Sequence, residues 1–363
     1  MLGYLIVILD RGAVPFCYYT NPLHHPLAEP ALMPLALLES VIRYAETNGL
    51  FLNFLFGNHQ LPEDYERAIA TVNHVKIIPA LLHDIYADGV LVLESGESDS
   101  FKLLPSDGDR FIILRAGRQD LPRLAGACQT LQGKFKRLNI HCVDVETWTE
   151  RDRDEYGAQL RTIADYLKKC YRMQEEIEIN ALTDRMLLGQ MNNCDAGIRH
   201  LTVAPDGKVY LCPGFYHDMA ADAVGVFSEE RSPVIDNPQL LDITHAPICS
   251  RCDAYHCKRC IYLNVNTTGE LNTPSHEQCI VSHIERDVSR QLLNYLKSGP
   301  PFDRMQPIPA LGYRDPFQLL LHAGGRATRS PAESILSGSV DAGEYLIQIH
   351  EMQKQILQKL GDD

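Results

Sequence analysis

Seven of the eleven cysteines of this 363-residue chain lie in one segment, between residues 194 and 279. They are Cys194, Cys212, Cys249, Cys252, Cys257, Cys260 and Cys279. In a reducing compartment, so dense a set of thiols binds metal, whereas a disulfide scaffold is typical of small secreted chains with a signal peptide. The spacing therefore predicts a metal site in this segment.

The arrangement of these cysteines favours iron–sulfur clusters over zinc. Residues 201–212 read as a β-hairpin with a Pro-Asp-Gly turn, whose second strand delivers Cys212. Residues 249–260 form a knuckle of the pattern Cys-x2-Cys-x4-Cys-x2-Cys. Strand ends and short loops supply the fixed thiolates that each iron needs. Zinc ribbons, the alternative, separate their Cys pairs by about 15–20 residues, and zinc would leave the three cysteines outside the knuckle unexplained.

Three stretches resemble the SPASM domain of radical SAM peptide maturases. Asn193–Gly197 and the hairpin Ala204–Cys212 are similar to the opening of that module, and Cys249–Asn264 is similar to its core. Within that family the resemblance is closest to the CXXX-repeat peptide maturases, whose substrates are ribosomal peptides with Cys repeats. Residues 146–152 support that placement more weakly. The resemblance is specific over residues 190–295, fainter before them and weak in the tail.

The resemblance implies two [4Fe–4S] clusters. Its ligand pattern gives one cluster Cys249, Cys252, Cys257 and Cys279, and gives the other only Cys194, Cys212 and Cys260. Relatives with a complete set carry a further cysteine near the position of His200, which makes His200 a candidate fourth ligand. A capping or packing role for His200, an open iron site and ligation by Cys170 are the alternatives. The knuckle departs from the x2, x5, x3 spacing of the wider family, which leaves open how Cys257 and Cys260 are shared between the clusters.

The N-terminal part lacks the motifs that bind S-adenosylmethionine (SAM) in radical SAM enzymes. Those enzymes place CxxxCxxC after the first strand, where this chain has Cys17 alone. They place GGEP after the second strand, where this chain has Phe56–Gln60. A lone Cys17 is more typical of a buried core thiol than of a ligand. The resemblance therefore implies a degenerate radical SAM barrel that does not cleave SAM by itself, and bound SAM is not expected.

The remaining cysteines and histidines of the N-terminal part have simpler interpretations. Cys128 is predicted to lie in a helix and Cys142 in a strand, far along the chain from Cys17. His24, His25 and His59 are interpreted as scattered loop or surface residues rather than as a replacement metal site.

Asp253 and His256 lie inside the knuckle. Each is a candidate for a hydrogen bond to cluster sulfide or for a contact with a peptide. Simple solvent exposure is the alternative interpretation.

Alternation of apolar strands and amphipathic helices predicts the elements that position these residues. The candidate strands are Leu2–Asp10, Leu50–Gly57, Val75–Leu82, Val90–Ser95, Phe111–Ala116 and Ile140–Thr147. The candidate helices are Pro34–Thr47, Glu63–Val72, Leu121–Leu138, Glu150–Met173, Val281–Leu296 and Asp341–Leu360. Such alternation is typical of parallel strands with right-handed crossovers, so we predict the α/β class and a partial (β/α)6 barrel, with a doubly wound sheet as the alternative. The predicted domains are the barrel (1–180), the SPASM-like domain (181–297) and a C-terminal helical tail (298–363).

Composition narrows the classes of partner. The chain has 34 Lys+Arg against 47 Asp+Glu, a net charge of −13, so it repels phosphate backbones and nucleic acid is not an expected partner. No stretch is long and apolar enough to predict a membrane span. The expected compartment is the cytoplasm.

Together these observations predict a subunit of a ribosomal-peptide maturation system. The resemblance implies a heterodimer with a complete radical SAM/SPASM maturase and a Cys-repeat precursor peptide as substrate, with this chain holding peptide or relaying electrons through its clusters. A stand-alone peptide-modifying Fe–S enzyme with an open iron site is one alternative. A scaffold in which the metal only stabilises the fold is the other.

Overall fold

Ten strands form one sheet in the part of the chain that the structure describes. The computed structural model describes residues 2–17, 31–97, 100–106, 108, 110–218, 222–231 and 233–297. The strands are β1 (Tyr4–Ile8), β2 (Phe51–Leu55), β3 (His74–Pro79), β4 (Val90–Glu94), β5 (Phe111–Ala116), β6 (Arg137–Cys142), β7 (Glu178–Ile179), β8 (His200–Val203), β9 (Lys208–Tyr210) and β10 (Gly225–Val226). Their order across the sheet is β10-β9-β8-β1-β2-β3-β4-β5-β6-β7.

Strands β1 to β6 are parallel and follow chain order. Right-handed crossovers in this order place every connection on the same face, as in a (β/α) barrel. A doubly wound sheet would instead reverse its order at a switch point. The order therefore favours the predicted barrel type over the doubly wound alternative. Both faces of these strands are covered, so β1 reads as a continuous apolar run in which Val7 and Ile8 are fully buried.

The described helices are α1 (Leu35–Asn48), α2 (Glu63–Ile69), α3 (Leu124–Thr130), α4 (Glu150–Arg172), α5 (Asn180–Leu187), α6 (Pro213–Asp218), α7 (Ile261–Thr268) and α8 (His276–Lys297). α1 buries Leu38, Val41, Ile42 and Ala45, which recur at helical spacing, and it ends at Gly49. Gly49 has φ 64°, the left-handed conformation that terminates helices. Thr149 caps the N-terminus of α4, and its backbone N–H donates to the Asp152 carboxylate at 2.8 Å.

The predicted helix Leu121–Leu138 is wrong in length. A 3-10 turn that contains Pro122 precedes α3, because proline has no N–H for the helical ladder. Gly133, at φ 73°, lies in the connection after the helix. The last residues of the predicted helix already belong to β6, which begins at Arg137 rather than at Ile140 and ends at Cys142.

The other five predicted strands and the helices predicted near α1, α2, α4 and α8 occur within a few residues of their expected bounds. The terminal helix predicted at Asp341–Leu360, with the rest of the tail from residue 298, lies outside the described residues. Among the helices that are described, none has both the length and the apolarity to cross a bilayer.

The predicted hairpin is confirmed, and it joins the Cys-rich region to the barrel sheet. β8 and β9 are antiparallel, and Gly207 in their turn has φ 77°, which favours glycine. β8 also pairs in parallel with β1, so that Tyr4 lies opposite His200. The sheet therefore runs without interruption from the N-terminal strands into the Cys-rich region. The domain boundary at residue 180 stays a prediction.

Candidate metal centre

The predicted ligands fall into two sets, named here the first group (Cys194, Cys212 and Cys260) and the second group (Cys249, Cys252, Cys257 and Cys279). All eleven cysteines lie within the described residues, and none of them forms a disulfide. The two groups meet at the knuckle, because Cys257 and Cys260 are separated by only two residues.

Three thiols of the second group are brought together by the fold of the knuckle. A 3-10 turn begins at Cys249, and the backbone N–H of Cys252 donates to the carbonyl of Cys249 at 3.1 Å. Burial and then the nearby negative charges of Cys257 and Cys252 raise the pKa of Cys249 to about 12. Burial raises the pKa of Cys252 to about 11, and the Cys257 charge adds to that shift.

The fourth member of the second group lies on the face of α8 that meets the knuckle. Cys279 is in the first turn of that helix, and Ser282 and His283 follow it by three and four residues, which places them on the same face. The Ser282 side chain hydrogen-bonds the thiol of Cys257. The Nε2 atom of His283 lies 3.9 Å from Sγ of Cys252. This face of α8 therefore points toward the thiols of Cys252 and Cys257.

The first group is assembled from separate segments. Cys194 precedes β8, Cys212 follows β9, and Cys260 caps the start of α7. The backbone N–H of Cys194 donates to the carbonyl of Lys258 at 2.8 Å, which ties its loop to the knuckle. Burial, together with the charges of Cys212 and Cys194, raises the pKa of Cys260 well above its ordinary value.

Backbone N–H groups are directed at sulfur in both groups. The pairs are Ala196 with Cys194, Gly214 and Phe215 with Cys212, Leu263 with Cys260, Ala254 with Cys252, and Arg259 with Cys257. Two of these contacts are 3.5 Å (Leu263 N to Cys260 Sγ) and 3.4 Å (Ala254 N to Cys252 Sγ). Hydrogen bonds to the sulfurs are one of the devices by which proteins hold iron–sulfur clusters and tune them.

This donor set fits a cluster ligated by thiolates. Burial and the Cys194 charge raise the pKa of Cys212 to about 12, so the thiol is protonated near neutral pH unless a metal compensates its charge. In the described residues, no three His, Cys, Asp or Glu side chains are close enough to hold a single metal ion. A [4Fe–4S] cluster is larger than one ion, and its thiolates stand correspondingly further apart. If clusters of this kind are bound, the first and second groups are the residues that hold them.

Arg259 is a buried cation between the two groups, and it carries no signal in the sequence beyond its place in the knuckle. Its φ is 41°, and its side chain is 2 % exposed. Its guanidinium donates to Asn193 Oδ1 at 2.9 Å, to Asn272 Oδ1 at 2.6 Å and to the carbonyl of Leu241. Burial lowers the pKa of Arg259, while the charges of Cys249 and Cys194, one from each group, oppose that shift. The side chain therefore offsets negative charge on both sides while it holds three segments together.

The interpretation of Asp253 and His256 as solvent-exposed is wrong, because both side chains pack into the protein. Asp253 forms ion pairs with Arg185 at 2.9 Å and with Arg286 at 3.3 Å. His256 is 5 % exposed, and its Nε2 lies 3.0 Å from the Glu285 carboxylate. These contacts fix the knuckle to α5 and α8, and the burial of His256 leaves it no surface on which to contact a peptide.

His200 and Cys170, the two fourth-ligand candidates, have different surroundings. The His200 ring stacks on Tyr4 with 4.8 Å between the centroids, and burial lowers its pKa to about 4. Its Nδ1 is buried and has no hydrogen-bond partner among the described residues. Cys170 lies in α4 and contacts Tyr166 and Glu175.

Other predicted positions agree with their simple interpretations. Cys128 is in α3 and Cys142 ends β6, as predicted. His59 is exposed in the connection after β2. His24 and His25 lie outside the described residues.

Sequence reasoning missed the position of Cys17. The charges of Cys212 and Cys194 raise its pKa further above the value that burial alone gives, so its thiol is near the first group. The only signal in the sequence was that Cys17 lies in the segment between β1 and α1.

Comparison with known proteins finds similarity in structure. No family model matches the chain, and no curated protein matches it. Histidine-tagged anSMEcpe with bound AdoMet aligns at a TM-score of 0.56 and 12% identity, over 82% of this chain and 99% of that chain. Native anSMEcpe with bound AdoMet and Cp18Cys peptide aligns at 0.52 and 10%, over 82% and 99%. Streptococcus suis SuiB bound to precursor peptide SuiA aligns at only 0.43 and 14%, over 77% and 76%.

At these identities the similarity concerns the fold alone, and the SuiB alignment is too weak to carry an argument. The chain has a mixed α/β fold with a large parallel sheet, similar to the folds of radical SAM enzymes such as anSMEcpe.

Proposed function

We propose that residues 181–297 form a SPASM-like module with two [4Fe–4S] clusters, and that the chain is a subunit of a ribosomal-peptide maturation system. It acts together with a complete radical SAM maturase on a Cys-repeat precursor peptide. The observation that carries this proposal is the gathering of two separate groups of buried or partly buried thiols around Arg259, beside a large parallel sheet.

The first and second groups hold one cluster each. When bound, such clusters accept and donate single electrons, which is the chemistry that a partner enzyme requires. This chain fixes the clusters in place and balances their charge with Arg259 and Lys258.

Reductive cleavage of SAM is assigned to the partner. The motif that would bind a SAM-ligated cluster is absent from the sequence, where Cys17 is the only cysteine between β1 and α1. anSMEcpe, which shares the fold, is known with bound AdoMet and with a peptide. For this chain we propose peptide binding but not AdoMet binding, because its Cys-rich region resembles that of maturases of Cys-repeat peptides.

Metal analysis tests the proposal directly. The chain is purified anaerobically, and iron, acid-labile sulfide and zinc are counted on the same sample. About eight irons and eight sulfides per chain are expected for two four-iron clusters. Zinc without sulfide would overturn the proposal in favour of a metal-stabilised scaffold, and about twelve irons would mean a third cluster in the N-terminal part.

A second experiment tests the division of labour. The reduced chain is incubated with SAM and a synthetic peptide of Cys-x-x-x repeats, and 5′-deoxyadenosine and peptide mass are followed. We expect neither 5′-deoxyadenosine nor a modified peptide, but we expect the chain to bind a fluorescent form of the peptide. Turnover by the isolated chain would support the stand-alone enzyme and contradict a subunit role.

A further inference from the structure

The segment that follows β1, residues 11–17, is named here the strap. It is tied to the end of its own strand: the backbone N–H of Gly12 donates to Oδ1 of Asp10 at 2.6 Å, and that of Ala13 donates to the carbonyl of Asp10 at 3.0 Å. Asp10 is 5 % exposed, and Ala13 and Val14 are buried as well. The strap therefore packs into the protein directly after β1 instead of leaving the sheet as a surface loop.

The strap is held by strands that lie far apart in the sheet. The backbone N–H of Val14 donates to the carbonyl of Phe56, directly after β2, at 2.9 Å. Nδ1 of His141, in β6, donates to the carbonyl of Phe16 at 2.6 Å. Because β3, β4 and β5 lie between β2 and β6 in the strand order, the strap crosses the sheet rather than following one strand.

A row of three polar side chains meets the strap. Arg115 in β5 lies directly opposite Glu94 in β4 and His141 in β6, and side chains paired in this way project from the same face of a sheet. Nε of Arg115 donates to the Glu94 carboxylate at 2.7 Å, and its Nη1 donates to the carbonyl of Cys17 at 3.3 Å. Arg115 is fully buried. The row therefore binds two consecutive carbonyls of the strap, those of Phe16 and Cys17.

These contacts lie at the carboxyl ends of the strands, the edge at which (β/α) barrels hold their ligands. Asp10 and Phe56 come within two residues after the ends of β1 and β2, and Arg115 and His141 are the next-to-last residues of β5 and β6. The polar groups at the ends of these four strands are thus engaged by the chain itself.

SAM is the ligand that this fold implies at that edge, since anSMEcpe is known with bound AdoMet, the same compound. The amino-acid part of SAM carries a carboxylate, which is bound by a cation or by N–H donors. The buried cation of the row, Arg115, is already paired with Glu94 and donates to the strap, and His141 also donates to the strap. These residues therefore do not fit SAM.

We infer that the strap covers the carboxyl edge of the barrel and takes the place of a ligand there, so that SAM does not bind at this edge. This inference deepens the proposed function, and it rests on it for the assignment of SAM cleavage to the partner. The missing cysteine motif removes the iron to which SAM would bind, whereas the strap removes the donors and the space. The peptide is then held on a surface outside this edge.

Hydrogen exchange measured by mass spectrometry tests the inference on the anaerobic holoprotein. Exchange is followed without SAM and with about 1 mM SAM, a concentration that detects even weak binding. The variants R115M and H141F each remove one donor to the strap. Far-UV circular dichroism and the exchange of α4 report on folding.

Each variant has a matched control at the same end of the sheet. R118M is the control for the arginine, because Arg118 follows β5 but pairs with Asp152 at 2.8 Å. H83F is the control for the histidine, because Nδ1 of His83 also hydrogen-bonds a carbonyl, that of Ala80 at 3.0 Å.

In wild type we expect the amides of residues 12–14 to exchange at least about 100-fold more slowly than in an unstructured peptide, and SAM to change no rate at the strap or the strand ends. R115M and H141F each raise the exchange rate of these amides about tenfold or more, whereas R118M and H83F leave it unchanged.

The inference is overturned if these amides exchange in wild type as they do in an unstructured peptide, if SAM alters exchange at this edge, or if R115M and H141F keep the wild-type rates. A wild-type chain that lacks iron and sulfide but keeps a protected strap would instead overturn the proposed function and leave the closed edge standing. If neither variant folds, the wild-type rates with and without SAM decide the question.

Discussion

The two groups of cysteines are built in opposite ways. The second group comes from one knuckle and the first turn of α8, within about thirty residues of chain. The first group comes from a loop before β8, the end of the hairpin and the start of α7. The second group is therefore a local motif, whereas the first exists only once the sheet has formed.

This difference implies an order of dependence. The knuckle supplies Cys260 to the first group, and the carbonyl of Lys258 in the same knuckle fixes Cys194. The first group thus depends on the second. The hairpin contributes no thiol to the second group, so the dependence runs in one direction.

Two double variants are expected to cause the largest loss of iron, and they test whether the first group depends on the second. C249A/C252A removes two ligands of the second group and disorders the knuckle, so iron falls from about eight toward zero per chain. C194A/C212A removes two ligands of the first group and leaves about four irons. Anaerobic iron analysis measures both, and equal losses in the two variants would contradict the one-way dependence.

Arg259 is the point at which the two groups are coupled. In R259M the side chains of Asn193 and Asn272 and the carbonyl of Leu241 lose their buried donor, and both groups lose a cation. We expect the free energy of unfolding to fall by about 3 kcal/mol or more, measured by urea denaturation of the anaerobic holoprotein. R43M is the matched control. Arg43 is exposed and pairs with Glu229 at the surface, so its loss has little effect on the free energy of unfolding. Similar losses in the two variants would contradict a coupling role for Arg259.

Glu285 supports the second group only. Its carboxylate accepts from the Tyr156 hydroxyl at 2.6 Å and lies 3.0 Å from Nε2 of His256, so it fixes α8 and the knuckle to α4. We expect E285Q to lower the free energy of unfolding by about 2 kcal/mol in the same urea experiment, because one hydrogen-bonded charge is lost inside the protein. E277Q on the same helix is the control, since Glu277 pairs with the exposed His276 at 3.6 Å. In E285Q the EPR signal of the second cluster changes first, and a change confined to the first cluster would be the contrary result.

His200 produces an effect that depends on pH, and it arises on the first group's side of the molecule. Its pKa falls from 6.5 to about 4 on folding, because burial disfavours the charged ring. The unfolded chain therefore binds the proton more readily than the folded chain does. The contribution of the neutral ring to the free energy of unfolding is fully present above the unfolded pKa, and it is lost as the pH falls from there toward the folded pKa. We expect the titration of His200 to lower the free energy of unfolding by about 2 kcal/mol when the pH falls from about 7 to about 5.

Urea denaturation at the two pH values measures this dependence in wild type and in H200Q, which lacks the titrating ring. H59Q is the control, because His59 is an exposed histidine in the connection after β2. An unchanged pH dependence in H200Q would show that the buried ring is not its source.

The sequence by itself determined the local features of this protein. Apolar runs and helical periodicity identified the strands β1 to β5, the helices α1 and α4 and the hairpin, because these signals come from neighbouring residues. The boundary between α3 and β6 was wrong, since Pro122 and Gly133 interrupt a pattern that otherwise continues. Spacing also identified the knuckle, because its ligands lie within a few residues of one another.

Only the tertiary structure decided which distant residues meet. The parallel pairing of β8 with β1 cannot be inferred from either strand, yet it places His200, and with it the end of the hairpin that carries Cys212, beside Tyr4 at the start of β1. The contact of Arg115 with Cys17 joins residues 98 positions apart, and that of Arg259 with Asn193 joins residues 66 apart. Contacts of this length leave no periodic trace in the sequence, because they are fixed by strand order and burial rather than by local spacing.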